Sequence, residues 1–265
     1  VRPITEGLGD VAPLTPLQVA DGLHLLPGDL ALSTFEEKLA EQWSATLAGG
    51  DNAAARATTA FHRLVRGASD AVGAELVLVD VGPNLGALNR SALLIADHVV
   101  VPLGADLVSA QALRNLGPSL RRWRGDWQRT ARPRIPTSID APAGRMHPLG
   151  YVVMQSSRRL DRPVKAYQTW LGRIPDVYAE ALGHSDDQDG RSPEIGTVRN
   201  YRSLMPLAHD ARKPMFDLRP ADGAIGSTQR YVQVCRQEFR DLSKEMLARL
   251  DALSSDSSPG QRRIR

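Results

Sequence analysis

A single cysteine, Cys235, stands among 265 residues, so no internal disulfide framework can form and a reducing, cytoplasmic compartment is the expected home. Only four of the 33 basic residues are lysines: Lys38, Lys165, Lys213 and Lys244. No apolar run approaches the roughly 20 residues that a membrane helix needs. The opening VRPITEGLGD has neither the charged nor the apolar part of a signal peptide. These absences predict a soluble protein with no membrane partner. What is present is ordinary globular material, 42% apolar and 24% charged, enough for one large or two small domains and unlike a collagen-like or disordered chain. The net charge is +3. The excess of arginine over lysine suits phosphate recognition, but the base composition of a genome also produces it and is the commoner cause. Val1 reads either as a literally translated GTG start or as the edge of a longer chain.

Strand and helix signals alternate, which predicts an α/β sheet with helices on both faces. GLHLLPG from Gly22 is a short apolar run. Asp29 is placed to cap a helix through Ala48, with Leu32, Phe35, Leu39 and Trp43 at helical spacing and Gly49 and Gly50 stopping it. A second helix is expected over residues 53–72. ELVLVDV, residues 75–81, has the look of a parallel strand buried on both faces. After the turn Gly82-Pro83-Asn84 come a helix with Leu85, Leu88, Ala92 and Ile95, a strand from His98, and a helix from Asp106. The spacing predicts a further strand from Gly150, helical segments over 162–182 interrupted by Pro175, a short strand from Pro214 and a last helix from Gly226 that buries Tyr231, Cys235, Phe239, Leu242, Met246 and Leu250. Residues 129–147 and 183–195 read as surface loops and 254–265 as a disordered tail, leaving 1–253 as a single domain. There are no internal repeats.

Asp80 carries the clearest chemical signal. A carboxylate at the carboxyl end of a buried strand, followed by a Gly-Pro turn into a helix, lies where open α/β sheets bind ligands. In P-loop enzymes that place belongs to the acid that orients Mg²⁺ and its waters. Strand-terminal Asp residues also cap helices, so both roles stand open at this point.

Asp80, Pro83, Leu85 and Gly86, then Asn89, Ala92, Ala96, Asp97 and Pro102, resemble the "D-x-P-P-S-L-G … N-A-L … A-D … P" run of ParA-type partition ATPases. GLHLLPGDLALSTFEE is similar to that family's "G-L-x-L-I-P-A-x-x-x-L" strand and helix. LGYVVMQ is similar to a strand that ordinarily ends in Asn, and Ala208, Lys213, Pro214, Asp217, Pro220 and Gly223 match its closing segment. The resemblance implies a doubly wound, mostly parallel sheet of the P-loop NTPase kind. It also implies ATP and Mg²⁺ as cofactors, a homodimer closed by ATP, nonspecific DNA binding on the nucleoid, and a ParB-type partner that triggers hydrolysis. On this resemblance Asp80 is the catalytic acid and the Mg²⁺ ligand, through water. Gly82, Pro83, Gln155, Met205, Pro206 and Leu207 are its nucleotide contacts.

Two departures are local: Gly82 replaces the first Pro of the pair, and Gln155 replaces the Asn. The third is an absence. The deviant Walker A loop, K-G-G-x-x-G-K-[ST], is missing, since none of the four lysines follows a glycine or precedes Ser or Thr. That loop supplies the N–H cradle, the phosphate-binding Lys and the Mg²⁺ hydroxyl. Its loss predicts a sheet without its first strand and, taken with Val1, a chain truncated at its amino end. The alternative is a nonenzymatic DNA-binding or scaffold protein that keeps the fold. A MinD-like membrane cycler is disfavoured by the polar tail SSDSSPGQRRIR.

For DNA, RRWRGDWQRTARPR sets Arg121, Arg122 and Arg124 beside Trp123 and Trp127, a combination of phosphate contacts and stacking rings; the same run also reads as a solvated helix end with its tryptophans in the core. Lys213 and Arg219, with Arg199, Arg202 and Arg230, form a second candidate surface. The six histidines show no ligand spacing, and His98 and His147 read as structural.

Overall fold

The computed structural model describes residues 2–5, 9–154, 164–183 and 191–256. The chain divides into two compact units, one made of Val1–Val99 with Pro118–His147 and the other of Val100–Gly117 with Pro148–Arg265. The first holds helix α1 (Arg2–Thr5), the antiparallel pair β1 (Leu17–Ala20) and β2 (Leu23–Leu25), and helices α2 (Ser33–Ala48), α3 (Asn52–Thr58), α4 (Ala60–Val72) and α5 (Ala87–Ile95). Strand β3 (His98–Gly104) begins in the first unit and ends in the second, and helix α6 (Leu107–Asp126) returns the chain. The second unit completes itself with β4 (His147–Met154), α7 (Val164–Leu182), β5 (Glu194–Val198), α8 (Met205–Ala211) and α9 (Ser227–Asp256).

Local chemistry accounts for the element ends. Asp29 caps a 3₁₀ turn, accepting from the Ala31 N–H, and α2 follows from Ser33 to Gly49, which closes it at φ 79°. The helix expected over 53–72 is two helices. Asp51 caps α3 through the Ala53 and Ala54 N–H groups, and Thr59 breaks the run with φ −93° and ψ 2°. α7 continues through Pro175, contrary to the interruption expected there. One lost main-chain bond is outweighed by burial of Ile174, Val177, Tyr178 and Ala181 around it.

Phe35 and Leu39 of α2 form the first unit's core with Ala57, Ala60 and Ala87. In the second unit the sheet runs β3-β4-β5, with β4 and β5 parallel and Val152 opposite Gly196. Leu149, Val152, Ile195 and Val198 pack against Phe239, Leu242, Met246 and Leu250 of α9. Tyr231, expected on that buried face, is half exposed. α6 and α7 meet at Gly117, where a Cβ would fall 1.9 Å from the Ala181 carbonyl oxygen.

The mixed α/β character stands, with a three-stranded parallel sheet. Several expected elements differ. Residues 75–81 are neither a strand nor buried, because no described strand lies beside them. Pro214 begins a 3₁₀ turn, Met215–Asp217, in place of a strand; without an N–H of its own, Pro214 is a poor ladder residue. The loop expected over 183–195 gives way to β5 at Glu194. The one expected over 129–147 holds part of a π-helical turn, Trp127–Ala131, and a 3₁₀ turn, Arg132–Arg134, and its Ile139 and Met146 are buried. α9 carries three residues, 254–256, into the stretch read as tail, the remainder lying outside the described residues. No helix among the described residues is long and apolar enough to cross a membrane.

Candidate functional site

Asp80 is exposed, and its carboxylate has no hydrogen bond or ion pair to a described residue. The loop that follows is held from behind. The Asn89 side-chain amide donates to the carbonyls of Gly82 (2.7 Å) and Asn84 (2.8 Å), and the Asn84 side chain accepts from the Gly86 N–H at 2.9 Å. Gly86 is the N-cap of α5 and offers no side chain. Glu36 of α2 takes that duty, with one carboxylate oxygen on the Ala87 N–H and the other on the Leu88 N–H at 2.8 Å. A carboxylate at a helix N-terminus satisfies two orphan donors and faces the positive end of the helix. The capping role left open for Asp80 falls to Glu36, a residue the sequence reading did not single out. Its only sequence signal was an acid in the first turn of α2, more than fifty positions from the helix it caps.

Behind the loop lies an arginine that sequence reasoning also missed. Arg90 on α5 lies over Trp43, 4.2 Å from the ring centroid, and reaches Trp123 at 5.9 Å. Burial pulls its guanidinium below the ordinary value, and nearby Glu36 offsets part of that. Trp43 stacks on Trp127 at 6.1 Å, and Trp127 donates its indole N–H to the Pro142 carbonyl at 2.9 Å. Trp123 and Trp127 are therefore core residues and are not presented for base stacking. Around them Arg121 and Arg122 are exposed, whereas Arg124 is half-buried and donates to the Met146 carbonyl. If the patch meets nucleic acid, Arg121 and Arg122 are its contacts. Replacing both with Ala is expected to flatten the log–log salt dependence of DNA binding by about 1.8, at about 0.9 per lost phosphate contact. Replacing Arg124 should leave the slope unchanged. Fluorescence anisotropy over a salt series separates these outcomes.

In the second unit, Met205 and Pro206 open α8 and are exposed, while Leu207 packs on the core around Leu204, Leu218 and Val232. Lys213 is engaged by both carboxylate oxygens of Asp222, at 2.8 and 3.0 Å, and holds that carboxyl below its usual range. Arg199 pairs with Glu238 at 2.7 Å. Arg219 is exposed, and its backbone N–H also serves Asp222. Gln155 lies outside the described residues. Asp80, Gly82 and Pro83 belong to the first unit, and Met205, Pro206, Leu207, Lys213 and Arg219 to the second.

His98 and His147, the first residues of neighbouring strands, bring their rings within 6.2 Å, and burial holds His98 below its usual value. Among the described residues no three His, Cys, Asp or Glu side chains come together as a metal cage. A free carboxylate such as Asp80 fits the waters of a nucleotide-bound Mg²⁺. Among the described residues nothing has the form of a phosphate cradle.

No protein-family model matches the chain, and no curated protein matches it. Among solved structures it is similar to the crystal structure of protein DIP2308 from Corynebacterium diphtheriae. The two are 25% identical with a TM-score of 0.54, over 74% of this chain and 67% of that one. The name of that protein states no activity.

Proposed function

We propose that this chain is the carboxylate-bearing part of a ParA-like ATPase, one that dimerises with ATP, binds DNA nonspecifically on the nucleoid and answers to a ParB-type partner. The observation that carries the reading is Asp80: an exposed acid with no hydrogen bond or ion pair to a described residue, at the end of an apolar run, with the Gly82-Pro83 turn behind it and the ordered motifs of the resemblance around it. In this reading Asp80 accepts hydrogen bonds from water on Mg²⁺. Mg²⁺ would neutralise charge on the transferring phosphoryl group. The sheet would be the doubly wound one, completed by a phosphate-loop strand supplied from outside these 265 residues.

The missing G-K-[ST] motif favours a second reading, a DNA-binding or scaffold protein without hydrolysis. Both readings predict that the isolated chain fails to bind nucleotide tightly. A few base contacts seldom exceed millimolar affinity, about 4 kcal/mol. Calorimetric titration with Mg²⁺-ATP is expected to show no saturation below about 1 mM. A micromolar constant would mean that a phosphate site exists elsewhere in the chain and would remove the basis of this proposal. The readings separate when a glycine-rich phosphate loop is fused upstream of Val1: hydrolysis is expected in the first and not in the second.

A further inference from the structure

His98 opens β3 and His147 opens β4, neighbouring strands of the sheet, and both residues belong to the first unit. Main-chain bonds tie the two strand entries together, from the Met146 N–H to the Ala96 carbonyl (3.1 Å) and from the His147 N–H to the Asp97 carbonyl (2.9 Å). In a parallel ladder an N–H that bonds the carbonyl one residue before its partner sets the two residues opposite each other, here His147 and His98, with side chains on one face. Their ring centroids are 6.2 Å apart and the planes meet at 42°. His98 is half-buried, and its Nδ1 is buried with no hydrogen-bond partner among the described residues, whereas His147 is exposed. One imidazole is therefore held in the fold and the other faces solvent. Beside them Asp97 and Arg145 form an ion pair at 2.8 Å, so the nearest cation is already compensated.

We propose that His98 and His147 form a two-imidazole site for a divalent late-transition ion, with Cu²⁺ bound most tightly and Zn²⁺ and Ni²⁺ less so. A coordinating ring nitrogen lies about 2.1 Å from such an ion, which puts the ring centroid about 3.2 Å away. Two rings on one ion then have centroids about 5.2 Å apart at a tetrahedral angle and about 6.4 Å apart in line. The observed 6.2 Å falls inside that interval, so the paired strands already hold the rings at a chelating span. No hydrogen bond at the His98 Nδ1 fixes the tautomer, and the ring can offer its lone pair to an ion without losing a bond there. Imidazole nitrogen suits copper, nickel and zinc, in an order that peaks at copper, whereas Mg²⁺ and Ca²⁺ take oxygen. Two protein ligands are fewer than a closed structural cage provides, so water completes the shell and the ion exchanges. The inference goes beyond the nucleotide reading: the ion is held by nitrogen, on residues other than Asp80, and its test contains no nucleotide.

The test uses the full 265-residue chain, stripped of metal, and Cu²⁺ as the first probe. Calorimetric titration should show a saturable site whose affinity falls at least roughly tenfold in His147→Ala, because the second imidazole no longer binds as part of a chelate. His147 is exposed, so the substitution should leave the metal-free melting temperature near that of the parent. Pulsed electron paramagnetic resonance of the copper-loaded wild type should report two equatorial imidazoles. Zn²⁺ should raise the melting temperature of the wild type and not of His147→Ala, and Mg²⁺ should raise neither. Absence of a saturable site, equal affinity in His147→Ala, a copper spectrum with fewer than two imidazoles, or a rise with Mg²⁺ equal to that with Zn²⁺ would each overturn the proposal. The spectrum needs no variant, so it decides the matter even where His147→Ala fails to fold.

Discussion

Asp80→Asn, in a fusion of this chain to an upstream phosphate-loop segment, is expected to lower Mg²⁺-dependent phosphate release by roughly 10²–10³-fold, the cost of removing one preorganised charge from a phosphoryl-transfer site. Stability should hardly change. The carboxylate is exposed and has no partner among the described residues, and the helix behind it is capped by Glu36 rather than by Asp80. Glu36→Ala supplies the contrast. Removing that carboxylate strips the Ala87 and Leu88 N–H groups of their acceptor and is expected to lower stability by about 1 kcal/mol, a capping effect. Because Glu36 holds the helix that follows the Asp80 loop, turnover should fall only to the extent that the loop loosens. Phosphate release and melting temperature measured for both variants separate a chemical acid from a structural one. An Asp80→Asn protein that hydrolyses ATP within about twofold of the parent would take Asp80 out of the mechanism.

The sequence made some elements plain and concealed others for identifiable reasons. Helix α2 was legible because Phe35, Leu39 and Trp43 recur along one face and Gly49 stops the run with the left-handed φ that glycine adopts freely. β3 and β4 were legible because short β-branched runs fall between turn signals. The run at 75–81 carries the same signal as those strands and forms no strand, because a ladder requires a neighbour, and a neighbour is not encoded in the run itself. β5 was hidden for the opposite reason. Glu194-Ile-Gly-Thr-Val is short and contains a glycine, and its pairing with β4 depends on Gly150. That residue lies at φ 146°, and a Cβ on it would approach the Pro193 oxygen to 2.4 Å. At the candidate site, Asp80 was nominated from its place in a motif. Glu36 and Arg90 were not, since capping a distant helix and lying against Trp43 are tertiary facts with no local pattern. The Trp-Arg run near 121–134 shows how one composition fits two uses: burial of Trp123 and Trp127 gives the rings to the core and leaves only part of the charge to solvent.

Arg249 is where the largest loss of stability is expected. Its side chain is buried in the second unit, yet it forms no buried carboxylate pair of the usual kind; it meets backbone. Nη2 donates to the carbonyls of Ser192 (3.0 Å) and Glu194 (2.8 Å), and Nη1 to those of Leu149 (3.2 Å) and Pro193 (3.4 Å). Nε donates to the half-exposed Glu245 carboxylate one turn earlier on α9, at 2.8 Å. One planar fork thus ties α9 to the first residues of β4 and to the entry of β5, which lie side by side there. Four carbonyl oxygens near a buried cation are favourable while it is present and costly when it leaves, because water has little access to replace five donors. Arg249→Met keeps most of the aliphatic stem and removes every donor. It is expected to cost about 3–5 kcal/mol in denaturant unfolding, in the range seen when one partner of a buried charged network is deleted. Arg249→Lys keeps the charge on a single compact head that cannot span all four oxygens, and should recover only part of the loss. Amide exchange provides the local readout: in Arg249→Met the N–H groups of β4 and β5 should exchange faster, while those of α2 in the first unit stay near parental rates. A loss below about 1 kcal/mol, or equal acceleration in α2, would mean that the carbonyls find other donors and that Arg249 is not the tie between α9 and the sheet.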